Sequence, residues 1–171
     1  MKIIVTGHTT GIGKHIFDFY QIQGCNVTGF SRSNGFDLRD WAKMQHILDL
    51  VDQYDIVFSN AKPDFFQTVF LYEFARRQNF NTKIVSIGSQ IIKFDIDPAI
   101  NIGINLYKTQ KLALQNAHQQ LTVKFPDLKS ILIHPGHLYD NDGTLYADLD
   151  TWVQKLHQVT IDNNSIELDV I

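Results

Sequence analysis

Tyr107 and Lys111 stand four residues apart, a spacing that could serve proton transfer. On a helix, residues four apart lie on the same face. A phenol has a pKa near about 10, too high for efficient proton exchange near neutrality, and a neighbouring ammonium lowers it by stabilising the phenolate. The pair therefore predicts an acid–base site in which Lys111 activates Tyr107. The same spacing is also typical of a surface pair, so this prediction depends on the residues around it.

A glycine-rich turn follows the first apolar run and opens a helical pattern. It reads Thr6-Gly7-His8-Thr9-Thr10-Gly11-Ile12-Gly13. Glycines permit a tight bend and a close approach of backbone N–H groups to a pyrophosphate, and a helix N-terminus offers partial positive charge. The glycine order differs from the usual G-x-G-x-x-G fingerprint, and a structural strand-to-helix turn also uses glycine. The position of the turn, at the first strand-to-helix junction, favours a dinucleotide site.

Short apolar runs alternate with helical patterns along the chain. The runs are rich in Ile and Val and occupy residues 2–6, 26–30, 55–59, 83–87, 129–134 and 165–170. They are mostly continuous, as in strands that are covered on both faces. Strands that alternate with helices form parallel sheets through right-handed crossovers. The sequence therefore predicts an α/β fold, a Rossmann-like doubly wound parallel sheet in a three-layer αβα sandwich.

Two helical segments have informative apolar patterns. The first has a stripe at helical spacing, preceded by Asp37 as the expected N-cap. Its members are Leu38, Trp41, Met44, Ile47, Leu48 and Val51. The second segment, residues 64–78, carries aromatic and aliphatic side chains on more than one face. One face is expected to pack on the sheet, and the surplus fits either a thick core or a subunit interface.

Taken in chain order, these motifs resemble the short-chain dehydrogenase/reductase family. The resemblance extends from Lys2 to the last apolar run. It is carried by the glycine turn, similar to T-G-x-x-x-G-[IL]-G; by Ser59-Asn60-Ala61-Lys62, similar to N-N-A-G; by the strand-end serine segment 84–89; by Y-x-x-x-K; and by Pro135-Gly136. Membership implies an oxidoreductase that interconverts a carbonyl and an alcohol with a nicotinamide dinucleotide.

The resemblance implies a catalytic triad of Ser89, Tyr107 and Lys111. Ser89 would hydrogen-bond the substrate oxygen, Tyr107 would exchange a proton with it, and Lys111 would also hold the nicotinamide ribose. The alternative interpretation is a dinucleotide-binding regulatory or sensor protein with the same fold and no turnover. The three intact side chains favour the enzyme, whereas a shortened substrate region favours the sensor.

The resemblance also implies the residues of a cofactor site. They are Gly7, Thr9, Thr10, Gly11, Ile12, Gly13, Ser31, Arg32, Asp37, Leu38, Asn60, Ala61, Lys62, Tyr107, Lys111, Pro135, Gly136 and His137. Ser31 and Arg32 offer donors and positive charge where an acidic residue would bind the ribose hydroxyls of NAD, so NADP(H) is favoured over NAD(H). Asp37 and Leu38 resemble the family's pair that contacts adenine.

The sequence departs from the family pattern at four points. Lys62 replaces a glycine. The short route from Arg32 to Asp37 predicts that the usual helix there is absent and that the family's third strand is reduced or missing. No Asn stands where the family has a catalytic one, so we expect a triad without that fourth residue. The brief stretch 138–147 implies a small lid, and with it a compact substrate, a site completed by a partner subunit, or weak activity.

The composition is that of one globular domain. The chain has 171 residues, of which 44% are hydrophobic and 19% charged, which predicts one compact domain. The resemblance implies that this single domain, residues 1–171, is an NAD(P)-binding domain. The net charge of -3, without blocks of like charge, argues against nucleic acid or an anionic membrane as a partner. A lone cysteine, Cys25, and the lack of a long apolar run predict a cytoplasmic protein.

Two further expectations concern metals and subunits. The histidines form no ligand cluster, and His134 and His137 flank a Pro-Gly turn, so no metal is expected. Short-chain dehydrogenases commonly form dimers or tetramers through two helices beside the serine strand. The resemblance therefore implies a homodimer or homotetramer through helices 64–78 and 105–120. The expected substrate is a small carbonyl compound or alcohol.

Overall fold

A computed structural model describes residues 1–78, 80–97, 101–136, 148–162, 164 and 166–170. Its strands are β1 (Lys2–Thr6), β2 (Asn26–Phe30), β3 (Ile56–Ser59), β4 (Lys83–Ile87), β5 (Ser130–Pro135) and β6 (Ile166–Val170). Its longer helices are α1 (Gly11–Ile22), α2 (Trp41–Leu50), α3 (Phe66–Arg76), α4 (Ile102–Lys124) and α5 (Leu149–Asp162). Short 3-10 turns occupy Arg32–Asn34, Val51–Gln53 and Gln90–Lys93.

The six strands form one parallel sheet in the order β2-β1-β3-β4-β5-β6. Each predicted apolar run is a strand of this sheet, with bounds that differ by at most a residue or so. Helices separate successive strands along the chain, which is what a parallel sheet requires. The predicted Rossmann-like, doubly wound α/β fold is confirmed.

Helices cover both faces of the sheet. On one face, Ile4, Val57, Ile84 and Leu132 pack with α2, α3 and α4. On the other, Ile3, Phe58, Val85 and Ile131 pack with α1 and α5. Successive residues of a strand point to opposite faces, so burial on both sides requires the continuous apolar runs seen in the sequence. No helix in the described part of the chain is long and apolar enough to cross a membrane.

The strand order creates a crevice at the carboxyl ends of β1 and β3. From β1 the chain moves outward to β2 and then returns across β1 to add β3 on the other side. Connections that diverge in this way leave a gap where open α/β sheets bind ligands. The order begins with β2 at one edge, as expected if the third family strand is missing.

Asp40, and not Asp37, is the N-cap of α2. The Asp40 carboxylate accepts the Ala42 and Lys43 N–H groups at 2.9 and 3.4 Å. Asp37 lies outside the helix, where its carboxylate is bound by Arg39 at 2.6 Å. The prediction for Asp37 was therefore wrong, because two aspartates precede the helix and only the second adjoins its first turn.

The apolar stripe around α2 is also only partly as predicted. Met44, Ile47 and Leu48 are buried in the helix, and Leu38 is buried although it precedes it. Trp41, the first helical residue, is 51% exposed. The helix starts three residues later than a stripe from Leu38 would require, so Trp41 lies at an end that the core does not cover.

The aromatic segment 64–78 divides between core and surface. It forms α3, in which Phe70, Leu71 and Phe74 are buried beneath the sheet face shared with α4. Phe65 and Tyr72 remain 40% and 42% exposed. The surplus apolar surface is therefore partly core and partly available to solvent.

The turn after β1 is locked against the end of β3. Thr6 Oγ1 accepts the N–H groups of Asn60 and Ala61 at 3.0 and 3.1 Å, and the Asn60 amide donates to Gly7 O at 3.2 Å. Gly7 has φ of +71°, in the left-handed region that favours glycine. A Cβ on Gly13 would lie 2.2 Å from Gly7 O, a backbone atom that cannot move aside. The glycines therefore allow the start of α1 to lie close to Gly7, and Gly7 to lie close to Asn60 and Ala61.

We expect Gly13→Ala to destabilise the protein by about 2 kcal/mol or more, because overpacking against backbone forces the turn to shift. Urea unfolding measures this change. Gly103→Ala is the control, since its Cβ would meet only Asn101 Oδ1, at 3.4 Å, and alanine favours a helix by up to about 1 kcal/mol. Equal stability of the two variants would contradict the close-approach argument.

Candidate active site

A cleft of about 1110 Å³ opens at the carboxyl end of the sheet. It is bounded by the loops after β1 to β4, the first turns of α4 and the end of β5. It is lined by Gly7, Thr9, Thr10, Gly11, Ile12, Ser31, Arg32, Ser33, Phe36, Asp37, Leu38, Arg39, Asn60, Ala61, Lys62, Pro63, Asp64, Ile87, Gly88, Ser89, Tyr107, Lys111, Pro135 and Gly136. Residues predicted from six separate segments thus meet at one place.

Of the predicted site residues that the structure describes, Gly13 does not line the cleft. Gly13 lies behind the glycine turn, where its role is to permit packing against Gly7 and Asn60. His137 falls outside the described residues, as do Leu138 to Ala147 of the expected lid. The remaining predicted residues all face the cleft.

The N-terminus of α1 opens into the cleft with its backbone groups available. Thr10 precedes the helix in an extended conformation, and its side chain makes no capping hydrogen bond. The first N–H groups of a helix have no intrahelical partner and carry partial positive charge. This end of the cleft therefore fits an anion such as a pyrophosphate.

Ser31 and Arg32 differ in how free they are to bind a ligand. The Ser31 hydroxyl is committed to its own turn, at 2.8 Å from Ser33 Oγ, and its N–H donates to Asn34 Oδ1 at 2.8 Å. Arg32 is exposed and forms no ion pair within the described ranges. Its guanidinium is the group that this segment can offer to a phosphate.

Asp37 and Arg39 form a forked ion pair at the same end of the cleft. Arg39 Nη2 donates to one Asp37 oxygen at 2.6 Å, and Nε lies 3.1 Å from both. Hydrogen bonds from Arg39 lower the pKa of Asp37 to about 2. Sequence reasoning missed Arg39, although its position two residues after an aspartate was a signal. Because the charges of Asp37 and Arg39 cancel, this pair itself contributes little net charge that a ligand could neutralise.

Ser89 and Tyr107 both line the cleft, and Ser89 is placed to act on the Tyr107 hydroxyl. Ser89 directly follows Gly88 at the end of β4, and its hydroxyl also accepts the Ile91 N–H at 3.2 Å. Burial raises the pKa of Tyr107, and the hydrogen bond with Ser89 opposes that rise. The expectation that Lys111 lowers the pKa of Tyr107 is therefore not met, because desolvation of the phenolate outweighs the favourable contacts.

Lys111 is buried beneath Tyr107, with 4% exposure. Its Nζ donates to Ile87 O at 2.7 Å and to Gln67 Oε1 at 2.9 Å, and lies 5.6 Å from the centre of the Tyr107 ring. Burial, together with the positive charge of Lys62, lowers the pKa of Lys111 to about 7. The group can thus gain or lose a proton near neutrality.

Gln67 is a site residue that sequence reasoning missed. It lies in the second position of α3, is 4% exposed, and its amide donates to Ser59 O at 2.5 Å and to Ile87 O at 3.0 Å. Its carbonyl oxygen faces Lys111. The sequence expectation concerned only an Asn at the family's position and so passed over Gln67. The single Gln among the aromatic residues of α3 was nevertheless a detectable signal. A fourth polar side chain therefore does contact the lysine.

His134 positions the backbone of Ser89. Its Nδ1 accepts the Ser89 N–H at 3.3 Å, and its Nε2 lies 2.9 Å from Glu167 Oε1. A neutral ring that accepts at Nδ1 must carry its proton on Nε2, so His134 donates to Glu167. Gly88 provides the space, since a Cβ there would lie 2.6 Å from Nδ1.

Glu167 is in turn held by two glutamines of α4. Gln119 donates to Oε2 at 3.0 Å, and Gln115 donates to Oε1. Partial burial alone would raise the pKa of Glu167, but hydrogen bonds from Gln119, Gln115 and His134 outweigh it and lower that pKa. The carboxylate stays ionised and fixes the tautomer of His134.

Within the described ranges, no group of three or more His, Cys, Asp or Glu residues is placed to hold a metal ion.

No family model matches the sequence, and a search of curated proteins also finds no match. Solved structures share the fold. The chain aligns with a short-chain dehydrogenase from Streptomyces avermitilis at a TM-score of 0.78 and 15% identity, over 99% of this chain and 88% of the other. An alcohol dehydrogenase from the archaeon Thermococcus sibiricus, complexed with 5-hydroxy-NADP, gives 0.75 at 14% identity, over 99% and 95%.

A short-chain dehydrogenase from Burkholderia cenocepacia in complex with NADP is similar to the same degree. Its TM-score is 0.75 at 18% identity, over 98% of this chain and 95% of the other. The chain therefore has the fold of the short-chain dehydrogenases over nearly its whole length. The resemblance inferred from the motifs is confirmed at the level of the fold.

We expect the stability of the protein, relative to Lys111→Met, to rise with pH above about 7. The folded state loses the Lys111 proton near pH 7, whereas the unfolded chain keeps it until about 10.4, so the unfolded state binds more protons between these values. The difference in unfolding free energy should grow by up to about 1.4 kcal/mol per pH unit.

Urea unfolding of both proteins at several pH values from 6 to 9.5 measures this difference. Lys124→Met is the control, because Lys124 lies on the same helix outside the cleft. A difference between wild type and Lys111→Met that stays constant with pH would contradict the lowered pKa of Lys111.

Proposed function

We propose that the protein is an NADP(H)-dependent member of the short-chain dehydrogenase/reductase family that interconverts a carbonyl and an alcohol. The observation that carries the proposal is the meeting of Ser89, Tyr107 and the buried Lys111 at one end of a cleft whose other end is a glycine turn. The fold shared with dehydrogenases supports it. A dinucleotide is long enough to reach from the glycine turn at one end of the cleft to Tyr107 at the other.

The residues of the cleft fit a dinucleotide. The open N-terminus of α1 would bind the pyrophosphate. Gly13 lets the glycine turn lie beside Asn60, and the dinucleotide would pass Asn60 as it extends from the turn towards Tyr107. Lys111 and Tyr107 would hold the nicotinamide ribose. When bound, the nicotinamide supplies the hydride in reduction or accepts it in oxidation.

The protein's own residues would donate and accept the proton in this reaction. In reduction, the Ser89 hydroxyl hydrogen-bonds the substrate oxygen and Tyr107 donates its phenolic proton to that oxygen as negative charge develops there. The phenolate that remains is stabilised by Lys111, whose Nζ is held in place by Ile87 O and Gln67. In oxidation, Tyr107 takes the proton back.

Arg32 supports NADP(H) over NAD(H). Its guanidinium is exposed at the end of β2, whereas Arg39 is already bound to Asp37. A guanidinium forms strong, charge-assisted hydrogen bonds with phosphate. Solved structures of this fold hold NADP or 5-hydroxy-NADP, which is consistent with the same choice.

A sensor without turnover is the second candidate. The raised pKa of Tyr107 and the lowered pKa of Lys111 both weaken the acid–base pair as it stands without ligands. A protein that only binds the dinucleotide would tolerate this. For the enzyme to work, binding of substrate and cofactor must lower the pKa of Tyr107 and raise that of Lys111.

Three further proposals concern the whole protein. Exposed apolar side chains on the helix pair that packs together, Tyr72 on α3 and Ile104 and Leu106 on α4, support a homodimer or homotetramer through these helices. Residues 1–171 are proposed to form one nucleotide-binding domain. A cytoplasmic location stays a prediction from the sequence.

We expect Tyr107→Phe to lower kcat by at least about a hundredfold, because proton transfer from a placed group contributes about that much or more. NADPH consumption with a panel of carbonyl compounds measures it. NADPH affinity is measured separately, because Tyr107 is also proposed to hold the nicotinamide ribose. Tyr72→Phe, outside the cleft, is the control. Full activity in Tyr107→Phe would refute the mechanism, and tight NADPH binding by wild type without any turnover would favour the sensor.

We expect Arg32→Ala to weaken NADPH binding about tenfold or more and to leave NADH binding unchanged, because only NADPH carries the 2′-phosphate. Titration calorimetry with both nucleotides measures the ratio. Arg76→Ala serves as the control, since Arg76 pairs with Glu73 away from the cleft. An unaltered preference would remove Arg32 from the cofactor site.

A further inference from the structure

Lys62 is a cation at the reactive end of the cleft, the end at which Ser89, Tyr107 and Lys111 lie. The resemblance places this position beside the cofactor, but the family has a glycine there, so a cofactor role would use the backbone and leave the ammonium group without a function. It is the third residue after β3, lines the cleft, and stands where the resemblance leads one to expect a glycine. Its Nζ lies 4.8 Å from the centre of the Tyr107 ring, closer than Lys111 Nζ at 5.6 Å. Two ammonium groups thus approach the phenol that is proposed to transfer the proton.

Lys62 has no counterion in the described part of the chain. None of the ion pairs there includes it. The two carboxylates of the cleft, Asp37 and Asp64, act on Arg39 instead, the first by a forked pair and the second through its charge. The other polar side chains near Tyr107, Ser89 and Gln67, are neutral. The reactive end of the cleft is therefore positive.

The positive charge of Lys62 also acts on Lys111, which lies beneath Tyr107. The charge of Lys62 adds to burial in lowering the pKa of Lys111. An anion bound to Lys62 would remove that repulsion and favour the ammonium form of Lys111, which the phenolate needs. Ligand binding at Lys62 would thus prepare the site for proton transfer.

We propose that Lys62 binds a carboxylate of the substrate, so that the substrates are small oxo acids and the corresponding hydroxy acids. The proposal rests on the proposed oxidoreductase function. Lys62 contacts the ring of Tyr107, whose hydroxyl would meet the substrate oxygen, so the anion belongs to the substrate half of the cleft. The carbonyl and carboxylate are then close together, as in 2-oxo and 3-oxo acids.

A carboxylate suits Lys62 better than a phosphate does. An ammonium is a compact point charge that matches one negative charge, whereas phosphate is best bound by forked guanidinium groups or by helix N-termini. Those groups, Arg32 and the first turn of α1, lie along the cofactor end. The groups suited to phosphate therefore lie at one end of the cleft, and the ammonium group suited to a carboxylate lies at the other.

Matched pairs of acids and methyl esters test the proposal. Pyruvate, 2-oxobutanoate and acetoacetate are compared with their methyl esters for NADPH-dependent reduction by wild type, Lys62→Met and Lys124→Met. Lys124 is the matched control, because its Nζ lies 5.4 Å from the Phe125 ring, outside the cleft. We expect wild type and the control to reduce acids at least tenfold faster than esters in kcat/KM. Lys62→Met should lose that preference through KM and retain its NADPH affinity.

Titration calorimetry gives a readout that does not need turnover. Acetoacetate and pyruvate are titrated into the NADP⁺-loaded protein, and Lys62→Met should bind them at least tenfold more weakly than wild type and Lys124→Met. Acid binding that depends on Lys62 without reduction of any carbonyl would retain the anion site and refute the enzyme. Equal binding in Lys62→Met, no acid binding at all, or an equal preference for esters would overturn the proposal.

A change in cofactor affinity separates the two sources of an anion. If Lys62→Met weakens NADPH binding tenfold and treats acids and esters as wild type does, Lys62 holds a cofactor phosphate and the substrate proposal is wrong.

Discussion

The burial of one ammonium group sets the conditions for the rest of the site. Removing the charge of Lys111 from water is costly unless acceptors surround it, and here they are a strand-end carbonyl and a side-chain amide. The amide belongs to Gln67, which also binds carbonyls at the ends of β3 and β4. One side chain therefore joins two strands, α3 and α4 at the floor of the cleft. The orientation of Tyr107, one turn before Lys111, depends on the same arrangement.

Much of the fold could be predicted from the sequence, because the continuous Ile- and Val-rich runs have one stable use in a chain that alternates them with helices. The cleft also followed from motifs, since parallel strands bring their carboxyl ends to one edge. Gln67 and the His134–Glu167 pair could not be predicted. The first required knowing which helical position faces Lys111, and the second joins neighbouring strands that are connected by a whole helix. Asp37 and Asp40 were confused because both precede the same helix.

The two ends of the cleft differ in how their charges are balanced. At the end that holds Asp37, Arg39 is neutralised by that carboxylate, whereas Arg32 forms no ion pair among the described residues. At the reactive end, two lysines approach one phenol with neutral neighbours. If a nucleotide binds at the first end, as proposed, no ion pair has to break. The second end carries positive charge that an anion would balance, so the proposed substrate site would link affinity to reactivity.

The all-parallel sheet also determines how the chain must fold. Ile3 pairs with Ile56, and Ile84 pairs with Ser130, so strand pairing requires the closure of long loops. No pair of neighbouring strands in this sheet, within the described residues, is a local hairpin. Such topologies have high contact order and fold slowly, because loop closure precedes the contacts that reward it. Helices such as α4 can form early from local contacts, whereas the glycine turn and the floor of the cleft assemble only when β1 meets β3.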